Sequence, residues 1–190
     1  MAQFLARPAA SGEAWTVDDL IALPDDGYRY EIFDGTLLVA PPPALRHFGV
    51  AVRLVDALKP QAPPGVLVSS AGGSVLIRGG RSYLIPDVLV VRDAAVRRTP
   101  DALGFDPVDV LVVVEVLSSS NRGRDLVLKR HEYAAAGIGT YWIVDSAGPT
   151  LTVLRHDGEG HYDEVATVKP GERWEADEPF PHAVDPAEFA

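Results

Sequence analysis

Two valine-rich runs, each carrying an acid, constrain this chain more than any other feature. Pro86-Asp87 opens the run Val88-Leu-Val-Val91, and Val110-Leu-Val-Val-Val-Glu115-Val-Leu117 follows after a polar interval. Short apolar runs this rich in β-branched residues read as strands buried on both faces. An acid in such a strand is costly to desolvate unless it has a partner or a metal. Side chains alternate along a strand, so Asp87 shares a face with Leu89 and Val91, and Glu115 shares one with Val113 and Leu117. Neighbouring strands with both acids near one end would bring the two carboxylates together.

Length and composition narrow the setting. At 190 residues and 47% hydrophobic content the chain is expected to form one domain with a sizeable core. Cysteine is absent, which excludes disulfides and thiolate metal sites. Apolar runs fall short of the roughly 18–20 residues of a membrane span, and the N-terminus lacks a signal-peptide core, so a cytoplasmic protein is the expectation. The net charge of −10 argues at first against a nucleic-acid partner. That acidity lies at the ends, however: residues 1–45 carry 2 basic and 7 acidic side chains, residues 46–145 carry 12 and 10, and residues 146–190 carry 3 and 10. The mildly basic middle holds Asp87, Glu115 and several arginines available to phosphates, Arg122 and Arg124 among them. Taken singly, most of those arginines read as solvated surface charges.

Along the chain, residues 1–15 read as a loose arm. Thr16 with Asp19 reads as a helix start, ended near Pro24. Tyr28-Arg-Tyr-Glu-Ile-Phe33, the turn pair Asp34-Gly35, and residues 36–39 form a strong hairpin signal. Val50, Leu54, Val55 and Leu58 recur at helical spacing within residues 44–58. Strands are expected over residues 66–69, 74–78, 84–91 and 109–117, the second and third joined in a hairpin around Gly79-Gly80. Residues 93–107 read as polar and irregular, with room for a short helix. A helix over 124–136 closed by Gly137, a strand over 140–145 and a meander over 151–168 complete a domain of residues 16–170. The acidic, proline-bearing tail 171–190 carries no assigned chemistry. This order predicts an α/β (α+β) architecture, a mixed β-sheet flanked by helices, with an N-terminal hairpin and a C-terminal meander.

Converging Asp87 and Glu115 would suit a hard divalent cation such as Mg²⁺ or Mn²⁺, which takes one or two carboxylates plus water and substrate phosphate. Such an ion activates water and polarises a phosphoryl group, while a nearby lysine orients that water or neutralises developing charge. This pattern resembles the PD-(D/E)xK nuclease superfamily, in which an acid after proline and a second acid on the next core strand bind metal. Tyr30-Glu31-Ile-Phe-Asp34-Gly35, the proline-rich turn with His47, Pro86-Asp87, Glu115-Val-Leu-Ser118, Asp125 with Lys129 and Tyr133, and Gly137-Ile followed by Tyr141-Trp-Ile-Val-Asp145 narrow it further. In that order they resemble the Uma family of restriction-endonuclease-like proteins, over roughly residues 16–170.

The resemblance implies a restriction-endonuclease-like fold, a divalent metal and cleavage of DNA. It adds Glu31 as a third metal-binding acid. It also leaves Leu117 where the superfamily has its lysine, so Lys129, on the following helix, is the candidate to replace it.

Each candidate has a plainer reading. Asp87 would be a strand-end acid bonded to a turn, and Glu31 half of a cross-strand ion pair. Lys129 stands four residues after Asp125, the spacing of an ordinary surface ion pair. Tyr133 lies one turn beyond Lys129 and reads first as a core aromatic, with a weaker role against substrate beside Arg122, Arg124 and His47. Asp145 reads as a cap. At the level of function, a metal-dependent endonuclease competes with an inert module of the same fold that binds nucleic acid or protein. A phosphohydrolase of small nucleotides is the third reading. A homodimer would be the simplest way to cut both strands of a duplex.

Overall fold

The structure is a computed structural model that describes residues 5–7, 13–70, 73–117 and 124–189. In chain order the elements are β1 (Leu5–Arg7), α1 (Val17–Ile21), β2 (Arg29–Phe33), β3 (Thr36–Ala40) and α2 (Leu45–Leu58). Next come β4 (Val66–Ser69), β5 (Val75–Ile77), β6 (Ser82–Leu84), β7 (Val88–Arg92), α3 (Asp93–Arg98) and β8 (Val110–Leu117). After α4 (Arg124–Ala135) follow β9 (Thr140–Asp145), β10 (Leu151–His156), β11 (Tyr162–Val168), β12 (Trp174–Ala176) and β13 (His182–Val184).

Two sheets carry the fold. A five-stranded sheet runs β1-β3-β2-β6-β5, and a six-stranded sheet runs β11-β10-β9-β8-β7-β4. The larger sheet is mixed, because β8 and β9 are parallel while its other pairs are antiparallel. A parallel pair needs a crossover, and α4 supplies it between β8 and β9. The first hairpin turns on Asp34 and Gly35, whose φ values of 43° and 78° are the left-handed pair that a two-residue turn demands.

Strand alternation divides the core. Val88, Val90, Val112, Val114, Val116, Trp142 and Val144 face α2, which meets them with Val50, Ala51, Leu54 and Leu58. The opposite face offers Leu89, Val91, Val113 and Tyr141 to Tyr133, Ala134 and Ile138, and to Val75, Ile77 and Leu84 of the smaller sheet. Each buried leucine or valine in these layers contributes about 1.5–3 kcal/mol of hydrophobic stabilisation.

Three segments differ from their sequence pattern. Residues 84–91, expected as one strand, end one sheet at Leu84 and enter the other at Val88. Pro86 explains the break, since it has no N–H to give to a ladder and its φ is fixed. Leu5–Arg7, in the segment read as a loose arm, pairs along β3. The acidic tail also joins the core: Phe180, Val184 and Phe189 pack in the layer with α2, at 4%, 0% and 0% exposure. Those three are spread too thinly among acids and prolines to show a period.

Candidate active site

The break at Ile85-Pro86-Asp87 places the acids at the junction of the two sheets. Val88 pairs with Val114 at the end of the antiparallel β7–β8 ladder, so Asp87 stands just beyond it, beside the Val114–Val116 stretch that carries Glu115. Asp87 N–H donates to Val114 O at 3.0 Å, and Val116 N–H donates to Asp87 Oδ2 at 2.8 Å. The aspartate carboxylate thus takes the place of a backbone acceptor and is held against the end of the strand. Arg29, on β2, donates from Nη1 to Asp87 Oδ1 at 3.0 Å. His47, in the first turns of α2, puts Nε2 2.7 Å from Asp87 Oδ2, off the axis of a good hydrogen bond.

Glu31 and Glu115 meet around one ammonium. Lys129 Nζ lies 2.9 Å from Glu31 Oε1 and 3.0 Å from Glu115 Oε1. Ile85 N–H donates to Glu31 Oε1 at 2.7 Å, and the Tyr133 hydroxyl donates to Glu115 Oε1 at 2.8 Å. These contacts all land on Oε1 and leave the Oε2 atoms out of the network they form. Glu31, Asp87, Glu115, Lys129 and Tyr133 are buried, whereas the Arg29 side chain is 26% exposed.

Burial and charge shape the protonation states. Burial opposes the ionised form of Asp87, yet the His47 contact and the cations Arg29 and Lys129 bring its pKa down to about 2. Glu115 goes the other way: burial is the largest cause, Lys129 opposes it, Asp87 and Glu31 add to it, and the carboxyl is pushed up to about 8. Burial disfavours the Lys129 ammonium, but Glu115, Glu31 and Asp87 hold its pKa above the ordinary lysine value. Burial, with the Glu115 and Glu31 charges, pushes the Tyr133 phenol well up, so it stays a donor. The lysine is thereby favoured in its charged form, and the Glu115 carboxyl is drawn toward its neutral form.

The donor chemistry suits a hard cation, and its geometry limits how many groups serve. Among the described residues no three histidine, aspartate or glutamate side chains are gathered as an ion-holding group. Asp87, bonded to Val114 O and Val116 N–H, is the acid the backbone brings beside Glu115, and two carboxylates satisfy a hard divalent ion that keeps waters and phosphate as its other ligands. The upward push on the Glu115 carboxyl by Asp87 and Glu31 marks negative charge that such an ion would neutralise.

Of the residues singled out in the sequence, Glu31, His47, Asp87, Glu115, Lys129 and Tyr133 come together here. Arg124 opens α4, and Arg122 lies outside the described residues. Lys129 is an interior residue on Glu31 and Glu115. Glu31 turns to Lys129 rather than to a cross-strand cation. Asp145 accepts from Ala147 N–H at 2.9 Å, as a turn cap does. Arg29 was missed as a site residue, although alternation puts it on the face of Glu31 two positions away. The Ile85 backbone left no signal at all, because a main-chain donor has no residue type.

The fold is shared with a solved structure. The crystal structure of "a putative nuclease belonging to DUF820" from Anabaena variabilis ATCC 29413 matches with a TM-score of 0.68 and 16% identity, over 92% of this chain and 97% of that one. At that identity the likeness concerns the fold. The family model of Uma2, "Putative restriction endonuclease", matches residues 17–187, and the chain belongs to that family. No curated protein matches it. No helix among the described residues is long and apolar enough to cross a membrane.

Proposed function

We propose that this chain is a metal-dependent endonuclease that hydrolyses DNA phosphodiester bonds. The observation that carries this reading is Asp87 bonded to the backbone on both sides of Glu115, with Lys129 seated between Glu115 and Glu31. In this reading Asp87 and Glu115 hold Mg²⁺ or Mn²⁺, with Glu31 on the flank of the same cluster. A bound divalent ion would supply Lewis acidity at the phosphoryl group and a more acidic water for in-line attack.

The remaining steps belong to the chain's own residues. Lys129 keeps its positive charge and offsets the charge that builds on the phosphoryl oxygens. Glu31 and the Ile85 carbonyl, 3.5 Å from Nζ, hold that ammonium at the sheet junction. Tyr133 donates to Glu115 and fixes its carboxylate, a positioning role for a side chain buried too deeply to meet DNA. His47 and the Val116 N–H fix Asp87 in the same way.

A supercoiled plasmid nicked in Mg²⁺ or Mn²⁺ tests the reading. Wild type is expected to nick only with metal, and Asp87→Asn or Glu115→Gln to abolish it. A second reading, a non-catalytic module of the same fold, draws on Leu117 at the usual lysine position and on the Lys129 ammonium being spent on protein acceptors. Absence of both nicking and metal binding would favour that module.

A further inference from the structure

Beside the acids lies a cavity of about 450 Å³, a size within the range of ligand pockets, lined by Tyr28, Tyr30, Tyr83, Pro42, Arg29 and Ile85. Two of these residues also belong to the acid cluster: Arg29 binds Asp87, and the Ile85 backbone binds Glu31. Arg29 and Ile85 thus join the cavity wall to the candidate active site, while Tyr30 and Tyr83 stand on the other face of the smaller sheet from Glu31. Its aromatic content is unusual for a surface, with Tyr28 52% exposed and Tyr30 and Tyr83 half-buried. Asp26 organises part of this wall, accepting Tyr28 N–H on Oδ1 at 3.1 Å and the Tyr30 hydroxyl on Oδ2 at 2.8 Å.

We infer that this cavity is a subsite for an unpaired nucleotide of a DNA strand, its base against Tyr28 and Tyr83 and its phosphate toward Arg29. The inference rests on the nuclease reading above and deepens it by naming the form of DNA. Aromatic walls take any base by stacking, but only a base not already stacked and paired in a duplex. Arg29 is the most exposed cation of the cluster, and it already spans from Asp87 toward the cavity. The carboxylate of Asp26, bonded to the Tyr30 hydroxyl, repels phosphate there, which leaves Arg29 as the cation of the cavity lining. Charge agrees. A duplex presents a dense double row of phosphates and rewards an extended basic face, whereas this chain carries −10 overall. A single strand held through its bases needs fewer cations.

The test is fluorescence anisotropy in EDTA, where no cleavage occurs, using a labelled 20-nucleotide single strand and its blunt duplex with wild-type protein. The single strand is expected to bind tighter. Tyr28→Ala and Tyr83→Ala are each expected to weaken it roughly 5- to 100-fold, the range for one lost base–aromatic stack, while Tyr28→Phe and Tyr83→Phe bind as wild type. Replacing one base with an abasic unit, scanned along a short strand, should weaken wild type at one position and leave the alanine variants unaffected there. Duplex binding as tight as single-strand binding overturns the inference, and so do alanine variants that match wild type. Free dTMP competing as well as the strand, at equal nucleotide concentration, overturns the assignment to a strand. Metal-dependent plasmid nicking without single-strand preference would sink this subsite and keep the nuclease. Single-strand binding that needs both tyrosines, with no nicking in any metal, would do the reverse.

Discussion

Helix α4 carries two buried polar clusters one turn apart, and they are built on opposite principles. At Glu132 a single carboxylate is matched group for group: Oε1 lies 2.9 Å from Arg78 Nη2, and Oε2 accepts from the Ser82 hydroxyl at 2.6 Å. Ser82 in turn accepts from Asp34 N–H at 3.0 Å, so the cluster ties α4 to the hairpins of the smaller sheet. At Lys129 three carboxyls, Glu31, Asp87 and Glu115, share two strong cations, Lys129 and Arg29. The first cluster is neutral and closed. The second sets three carboxyls against Lys129 and Arg29, and burial with the Asp87 and Glu31 charges pushes the Glu115 carboxyl up. Buried charge that is balanced serves the fold, whereas buried charge left in surplus calls for a further cation.

The largest effect is expected where the surplus is exposed outright. Lys129→Met leaves Glu31 and Glu115 buried without their shared cation and is expected to cost about 3–5 kcal/mol in chemical denaturation. Adding Glu115→Gln to that variant should recover part of the loss, because one acid fewer remains to be neutralised. A double-mutant cycle reads this coupling directly.

Glu115→Gln alone separates function from fold. Metal-dependent nicking is expected to fall by roughly 10²-fold or more, while the thermal midpoint stays level or rises as surplus charge is removed. Glu132→Ala should show the opposite profile. It strips Ser82 and Arg78 of their acceptor and is expected to cost about 1–3 kcal/mol of stability. A Glu132→Ala variant as stable as wild type would erase the contrast between the clusters.

The remaining effect lies in pH. The Glu115 carboxyl titrates higher folded than unfolded, so the folded state binds more protons between about 4.5 and about 8. Its contribution to stability is fully present below that window and is lost as pH rises through it. Asp87 runs the other way: lowered from 3.8 to about 2, its contribution is present above 3.8 and lost as pH falls toward 2. Denaturation measured across pH 5 to 8 should therefore show stability falling with pH in wild type. Glu115→Gln should flatten that slope, and Glu132→Gln should leave it.

How much of this could be read from the sequence follows from residue type. Asp87 and Glu115 stood out because an acid inside a valine run contradicts its surroundings, and strand alternation alone assigns the face each one takes. The strands beside them were legible for the same reason. Lys129 carried no such contradiction. Helix α4 turns Lys129, Glu132 and Tyr133 inward together, so its buried face is mostly polar and mimics a solvated one. Only the resemblance to a family singled that lysine out. Glu132 and Ser82 went unremarked because their burial depends on a contact 50 residues apart in sequence. The core role of Phe180, Val184 and Phe189 was hidden by acidic neighbours that dominate the local composition.

The most direct test of the surplus-charge account is titration calorimetry of the full chain with Mn²⁺ at pH 7, in two buffers of different ionisation enthalpy. The account predicts one ion bound per chain with release of about one proton, and loss of both in Glu115→Gln and of binding in Asp87→Asn. Binding that ignores those substitutions, or no binding at all by a folded wild-type chain, would contradict it.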